Sequence, residues 1–223
     1  MSDMIKIAVD AMGGDNSPDK IIDGIDLHSR ESQDVFYKIY GDKEIIEFLI
    51  SKKKIKKDSY ELIHTKEKVE GEDSALSAAK KKNTSMWLAI ESVKLNDSDA
   101  IISAGNTGAL FVIAKLNLEM IEKIDKPALS GLWPNKSGMN IVLDLGANIE
   151  CNEKNLKDFS IMGAALHKSL FPNEVSKVAL LNIGSEELKG NTVIKNSYQE
   201  LSNLKTQLFE FKGYIEGNDI MSG

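Results

Sequence analysis

Residues 5–18, which read IKIAVDAMGGDNSP, decide the fold class of this chain. The mostly apolar residues at 5–10 predict a strand, and the glycines at 13 and 14 end it. Ser17 and Pro18 then predict a helix start, with Ser17 as the N-cap and Pro18 in the first turn, where a missing N–H does no harm. A strand, a glycine-containing loop and a helix in this order open a βαβ unit.

The same alternation continues along the chain. Several of the predicted strands are apolar on both faces, as buried parallel strands are. Further strands are predicted at 35–40, 60–64, 100–103, 140–144, 177–182 and 211–215, and helices at 18–32, 43–51, 84–95, 108–121, 156–170 and 192–204. The sequence therefore predicts an α/β fold with a mostly parallel sheet covered on both sides by helices.

Composition narrows the class of protein further. The 223 residues are 42% hydrophobic and 28% charged, as expected for a globular chain. The net charge of −6 argues against general nucleic-acid binding. A single cysteine excludes an internal disulfide, and residues 1–10 read as a strand rather than a secretory signal. We expect a cytoplasmic protein with one domain over residues 1–223, incomplete at its C-terminus because the chain stops in a strand-to-helix connection.

Four glycine-containing loops follow predicted strands at one end of the sheet, where ligands of parallel sheets bind. Each loop alone is as well explained by a tight turn, but together they predict a site for an anion of phosphate size, with backbone N–H groups at helix starts as donors. Lys189 is the only cation in these loops. The first to fourth loops are 10–18 (DAMGGDNSP), 103–108 (SAGNTG), 144–148 (DLGAN) and 182–191 (NIGSEELKGN).

Other kinds of site find less support. Neither G-x-G-x-x-G after a strand nor G-x-x-x-x-G-K-[ST] is present, and no G-x-S-x-G occurs. The three histidines show no metal-ligand spacing, so no metal site is predicted, and Cys151 is interpreted as a passive thiol. The lysines at 52–57 and 80–82 are either solvated surface or sites that gather a ligand or partner.

Five segments, taken together, resemble one known family. They are IAVDAMGGD at 7–15, KKNTSM at 81–86, ISAGNTGAL at 102–110, LDLGAN at 143–148 and LLNIGSEELKGN at 180–191. The chain resembles the phosphate acyltransferases of bacterial phospholipid synthesis, in order and over essentially its whole length. The resemblance implies a three-layer α/β/α sandwich related to phosphotransacetylases and isocitrate-type dehydrogenases, and it implies a homodimer without a cofactor.

The resemblance also implies a reaction and its partners. The family transfers a fatty acyl group from acyl carrier protein to inorganic phosphate and forms acyl phosphate. A membrane-bound acyltransferase then uses acyl phosphate to acylate glycerol 3-phosphate, which implies peripheral contact with the membrane. Nucleic acid is not an expected partner.

By position, Lys189 matches the essential lysine of the family and is the predicted catalytic residue. Asn16 stands where the family usually has a histidine, so that position is not an obligatory acid or base in this chain. A D-G-F-x-G-N segment and an amphipathic hairpin for membrane contact would follow Gly223 in the family, so the resemblance implies a C-terminally truncated chain. The predicted substrate-binding residues are Asp10, Gly13, Gly14, Asp15, Ser103, Gly105, Asn106, Thr107, Gly108, Asp144, Gly146, Asn148 and Asn191.

These residues suit a direct displacement, in which a phosphate oxygen attacks the thioester carbonyl. A thiol with a pKa of about 8.5 leaves as thiolate with little help, so no serine, cysteine or histidine nucleophile is needed. Backbone N–H groups and Lys189 would hold the phosphate and stabilise the developing oxyanion. Two alternatives stay open, namely a non-catalytic anion-binding or scaffold protein of lipid synthesis and a decarboxylating dehydrogenase of the related fold.

Overall fold

A computed structural model describes residues 4–184 and 189–222 of the chain. The described part of the chain forms two compact units, which divide between Glu119 and Met120. The prediction of one domain over residues 1–223 stays a prediction. Within the described residues, no helix combines the length and the apolar character needed to cross a membrane.

The first unit contains a four-stranded sheet in the order β3-β2-β1-β4, with all three strand pairs parallel. Its strands are β1 (Ile5–Asp10), β2 (Val35–Gly41), β3 (Tyr60–His64) and β4 (Ala100–Ser103). Its helices are α1 (Asp19–Glu31), α2 (Lys43–Ile50), α3 (Ala75–Ala78), α4 (Ser85–Lys94) and α5 (Thr107–Asn117).

Helices cover both faces of this sheet. Because neighbouring residues of a strand point to opposite faces, adjacent residues of β1 pack against different helices. Val9 of β1 lies in one core cluster with Ile22 of α1 and Ile46 of α2. Its neighbour Ala8 lies in another cluster with Ala89 of α4. The first unit is therefore a helix–sheet–helix sandwich, which confirms the predicted α/β class.

The second unit contains two pairs of strands and has a core of its own. That core is formed by Ala164, Leu180, Leu201 and Phe209. Strands β5 (Ser130–Asn135) and β6 (Gly138–Leu143) form an antiparallel hairpin, and β7 (Lys177–Leu181) pairs in parallel with β8 (Glu210–Ile215). The helices are α6 (Glu153–Leu170) and α7 (Thr192–Asn203), and a 3₁₀ turn spans Asp219–Met221.

Two details of the sequence interpretation were wrong. The strand predicted at 140–144 is β6, which pairs antiparallel with β5, and β5, which contains Pro134, was not predicted. A turn at 136–137 makes this hairpin, and Asn135 Oδ1 accepts a hydrogen bond from Ser137 N (2.7 Å). Ser17 does not cap α1, because its Oγ donates to the carbonyl oxygen of Gly13 and Pro18 occupies the N-cap position.

Candidate active site

The first and second loops meet where the winding of the sheet reverses. From β1 the chain moves outward through β2 to β3, whereas β4 lies on the other side of β1. The carboxyl ends of β1 and β4 are therefore neighbours, and the register pairs Asp10 with Ser103. In sheets of this kind, such a switch point is the usual place for a ligand.

Two glycines allow the first loop to touch the second. Gly14 has a φ of +88°, and a Cβ on it would lie 2.4 Å from the carbonyl oxygen of Ala104. A Cβ on Gly13 would lie 2.4 Å from Asp10 Oδ2 and 3.0 Å from the backbone nitrogen of Gly105. Since backbone atoms cannot move aside as a flexible side chain can, this approach requires glycine at both positions.

The carboxylate of Asp10 lies beneath the loops and is only 1% exposed. Its Oδ1 accepts hydrogen bonds from Ser85 Oγ (2.5 Å) and from Met12 N (3.3 Å). Its Oδ2 accepts one from Ser103 Oγ (2.7 Å), and Ser103 Oγ in turn accepts one from Gly105 N (3.1 Å). Asp10 was predicted to bind substrate, but both of its oxygens are engaged by the protein.

A cavity of about 430 Å³ opens above these residues. Its walls are the first loop, the second loop and residues 68–71, which follow β3. The sequence interpretation did not include residues 68–71 in the site. The lining residues are Met12, Gly14, Asp15, Asn16, Ser17, Lys68, Val69, Glu70, Gly71, Ala104, Gly105 and Asn106.

Asn106 holds the third wall in place. Its Nδ2 donates hydrogen bonds to the carbonyl oxygens of Gly71 (3.0 Å) and Asp73 (3.0 Å). Its Oδ1 accepts a bond from Ala109 N (3.0 Å), so the same side chain is the N-cap of α5. Lys68 and Glu70, both on this wall, form an ion pair of 3.1 Å. The amide hydrogens of Asn106 are thus used to build the cavity.

Candidate donors for a ligand are the side chains of Asn16 and Lys68, which line the cavity, and the backbone N–H groups of the first turn of α5, which begins directly after the lining residue Asn106. Thr107 and Gly108 are exposed and begin α5, so no carbonyl of the helix reaches their amides. Within residues 4–184 and 189–222, the hydrogen bonds of the structure leave both amides without an acceptor. The helix dipole adds positive potential at this end, which favours an anion.

In the third loop, which belongs to the second unit, Asp144 accepts hydrogen bonds from nearby residues. Asp144 Oδ1 accepts hydrogen bonds from Asn148 N (3.2 Å) and Nδ2 (3.0 Å), and Asp144 Oδ2 accepts one from Cys151 Sγ (3.3 Å). Burial raises the pKa of the Cys151 thiol, and the bond to Asp144 raises it further. This environment suits a passive thiol rather than a nucleophile. Gly146 has a φ of +85°, which glycine adopts without strain.

The fourth loop also belongs to the second unit, and its residues 185–188 lie outside the described residues. Asn182 Nδ2 donates to the carbonyl oxygens of Gly184 (3.0 Å) and Lys189 (3.2 Å). Asn191 Oδ1 accepts from Ile194 N (2.9 Å) and is the N-cap of α7. The prediction that all four loops share one rim stays a prediction.

Comparison with known proteins identifies the family to which this chain is similar. The sequence model of a family described as "Fatty acid synthesis protein" matches residues 5–223. The phosphate acyltransferase of Pelagibacter ubique (strain HTCC1062) is 65% identical over 100% of this chain and 67% of its own length. The phosphate acyltransferase of Paramagnetospirillum magneticum is 37% identical over 100% of this chain and 64% of its own length. The chain thus spans about two thirds of the length of these relatives.

Solved structures support the fold. A phosphotransacetylase from Streptococcus pyogenes matches with a TM-score of 0.71 at 13% identity, covering 97% of this chain and 69% of that chain. EutD phosphotransacetylase from Staphylococcus aureus matches with a TM-score of 0.64 at 14% identity, covering 95% and 68%. The predicted phosphotransacetylase-like fold is confirmed. Because the family's sequence model extends over residues 5–223 and a curated member shares 65% of the aligned residues, the chain belongs to the phosphate acyltransferase family.

Proposed function

We propose that this chain, in the full-length protein, transfers a fatty acyl group from acyl carrier protein to inorganic phosphate, forming acyl phosphate for phospholipid synthesis. The observation that carries the proposal is the cavity at the switch point of the sheet, in a member of the phosphate acyltransferase family. Thr107 and Gly108 begin α5 directly after Asn106, the last residue of the second loop that lines the cavity, and their amides have no acceptor among the described residues. A phosphate dianion is the ligand that such donors suit.

The reaction is one displacement. A phosphate oxygen forms a bond to the thioester carbonyl carbon, and the C–S bond then breaks. The sulfur leaves with its electron pair as thiolate, which takes up a proton from water. The amides of Thr107 and Gly108 would bind phosphate, and the ammonium group of Lys189 would stabilise the negative charge that develops.

Four further features belong to the same proposal. The protein would act in the cytoplasm as a homodimer. It would contact the membrane peripherally, where the membrane-bound glycerol-3-phosphate acyltransferase takes up acyl phosphate. We propose no cofactor, because the thioester and phosphate balance the displacement by themselves.

A thiol-release assay tests the function. Full-length protein is mixed with acyl-[acyl carrier protein], with and without inorganic phosphate, and free thiol is measured with a chromogenic disulfide. We expect thiol release that depends on phosphate, with an equal amount of acyl phosphate trapped by hydroxylamine. Phosphate binding without thiol release would instead favour a non-catalytic anion-binding protein, and a change in NAD(P)H absorbance with a hydroxy-acid substrate would favour a dehydrogenase.

Docking of acyl carrier protein, which is acidic, needs local positive charge, because this chain carries a net charge of −6. The structure shows that part of each lysine cluster is already paired. Lys53 contacts Asp23, and Lys81 Nζ lies 2.7 Å from Asp73 Oδ2. Lys80 is exposed, so we propose it as a docking residue.

We predict that Lys80→Glu raises the KM for acyl-[acyl carrier protein] about fivefold. Loss of an exposed charge pair weakens binding by about 1 kcal/mol, which corresponds to a change of this size. The increase should be larger at low salt, where screening is weaker. Lys20→Glu on α1 is the matched control, because it makes the same change in net charge at another exposed position. Equal KM values for the two variants at low salt would place docking away from Lys80.

A further inference from the structure

We propose that Asp10 is a positioning residue, which fixes the second loop through Ser103 and does not itself touch the substrate. The proposal deepens the proposed function and rests on it. Asp10 is the last residue of β1 and is 1% exposed, so its carboxylate is out of reach of a ligand in the cavity. What this carboxylate does is determined by the groups that it contacts.

The hydrogen bonds around Ser103 have only one consistent direction. A backbone N–H can only donate, so Ser103 Oγ accepts from Gly105 N at 3.1 Å. The single proton of this hydroxyl is therefore free to be donated to Asp10 Oδ2, at 2.7 Å. The result is a relay from the amide of Gly105 through Ser103 to Asp10. Hydrogen bonds that end on a carboxylate are stronger than neutral ones, so Asp10 fixes the orientation of this relay.

The same carboxylate joins three elements of the first unit. Ser85, the first residue of α4, donates to Asp10 Oδ1 at 2.5 Å, and Ser103 is the last residue of β4. Directly above, Gly13 leaves no free space, since a Cβ there would lie 2.4 Å from Asp10 Oδ2 and 3.0 Å from Ser103 Oγ. We therefore expect a change at Asp10 to displace the second loop, which leads into the predicted phosphate donors at the start of α5.

The test is Asp10→Asn in the full-length protein. Asparagine has the same shape but presents one acceptor and one donor, so it cannot accept from both serine hydroxyls. We expect kcat/KM for phosphate to fall about 100-fold, the loss that a displacement of about 1 Å produces in a positioned site. We expect this loss to come from a raised KM for phosphate, while the KM for the acyl donor stays unchanged.

Two serine variants separate positioning from ordinary destabilisation. Ser103→Ala removes the middle of the relay, and we expect the same rise in KM for phosphate, with no further rise in the Asp10→Asn/Ser103→Ala double variant. Ser92→Ala on α4 is the matched control. It also removes a buried hydrogen bond of a serine hydroxyl (Ser92 Oγ to Ser98 Oγ, 2.8 Å), but its side chain bonds Ser98 and Tyr40 rather than a residue of either loop. Its KM values should be those of the unaltered protein.

The outcomes distinguish this proposal from the proposed function. If the unaltered protein forms no acyl phosphate, the proposed function fails. If it does, and Asp10→Asn and Ser103→Ala lower kcat without changing the KM for phosphate, Asp10 is merely structural and the positioning role is overturned. Should Asp10→Asn fail to fold, Ser103→Ala alone decides between these results. Faster hydrogen exchange of the Gly105 amide in Ser103→Ala would support the relay independently of activity.

Discussion

Gly14→Ala is expected to lower acyl phosphate formation by the full-length protein at least about 100-fold, since misplacing a positioned group by about 1 Å costs that much. An alanine at this position must keep a φ of +88°, which costs about 1–3 kcal/mol for a residue with a Cβ. Its Cβ would also lie 2.4 Å from the carbonyl oxygen of Ala104 and 3.0 Å from the carbonyl carbon. Both contacts are with backbone, so the loops must separate and the cavity between them must change shape.

Gly24→Ala is the control for this experiment. Gly24 lies on α1, and a Cβ there meets no atom within 4 Å. Alanine at an exposed helical position stabilises by about 0.5–1 kcal/mol relative to glycine, so this variant should unfold at a higher urea concentration with unchanged kcat/KM. Urea midpoints and kcat/KM are measured for both variants. If Gly14→Ala behaves as Gly24→Ala does, the close approach of the two loops has no role in the site.

Lys189→Ala is the second large effect, with an expected loss of about 10²–10³ in kcat, the usual cost of removing one group that stabilises an oxyanion. Lys189 is exposed, and alanine retains the backbone oxygen that accepts a hydrogen bond from Asn182 Nδ2. Because an interaction of an exposed charged side chain contributes about 0–1 kcal/mol, we expect the free energy of unfolding to change by no more than about 1 kcal/mol.

The matched control is Lys205→Ala, which removes an exposed lysine from the same unit. Turnover is measured as phosphate-dependent thiol release, and folding by urea denaturation. Near-normal turnover of Lys189→Ala would remove this lysine from the mechanism. Equal losses in both variants would indicate a general effect of charge rather than a catalytic group.

Much of the first unit could be predicted because its signals are local. The bounds of β1, β3 and β4 agree with the prediction, since a short run rich in β-branched, aromatic and other apolar residues between polar segments predicts a strand. The direction of β6 could not be predicted, because an apolar run does not show which neighbour it pairs with. β5 was missed because proline is unusual inside a strand, and Pro134 is tolerated here in a two-stranded hairpin.

The parts of the site that contain glycines after strands could be predicted from the sequence. The part that depends on contacts between distant residues could not. The first two loops were identified from glycines that follow strands. The wall at 68–71 depends on hydrogen bonds from Asn106, which is more than 30 residues away along the chain. The sequence also does not show whether a carboxylate such as Asp10 points into a cavity or beneath it. Only the bonds to Ser85 and Ser103 reveal that.

The side-chain amide of Asn106 both caps α5 and holds the wall at 68–71, so the start of this helix and the width of the cavity are coupled. Substituting Asn106 would remove the α5 cap and release the wall at 68–71 in the same step, so helix stability and aperture cannot be tuned separately through this residue. Shortening Lys68 or Glu70 instead would remove side-chain atoms from the lining of the cavity and leave the cap intact. An engineered protein that accepts a bulkier donor is therefore best sought at these two positions.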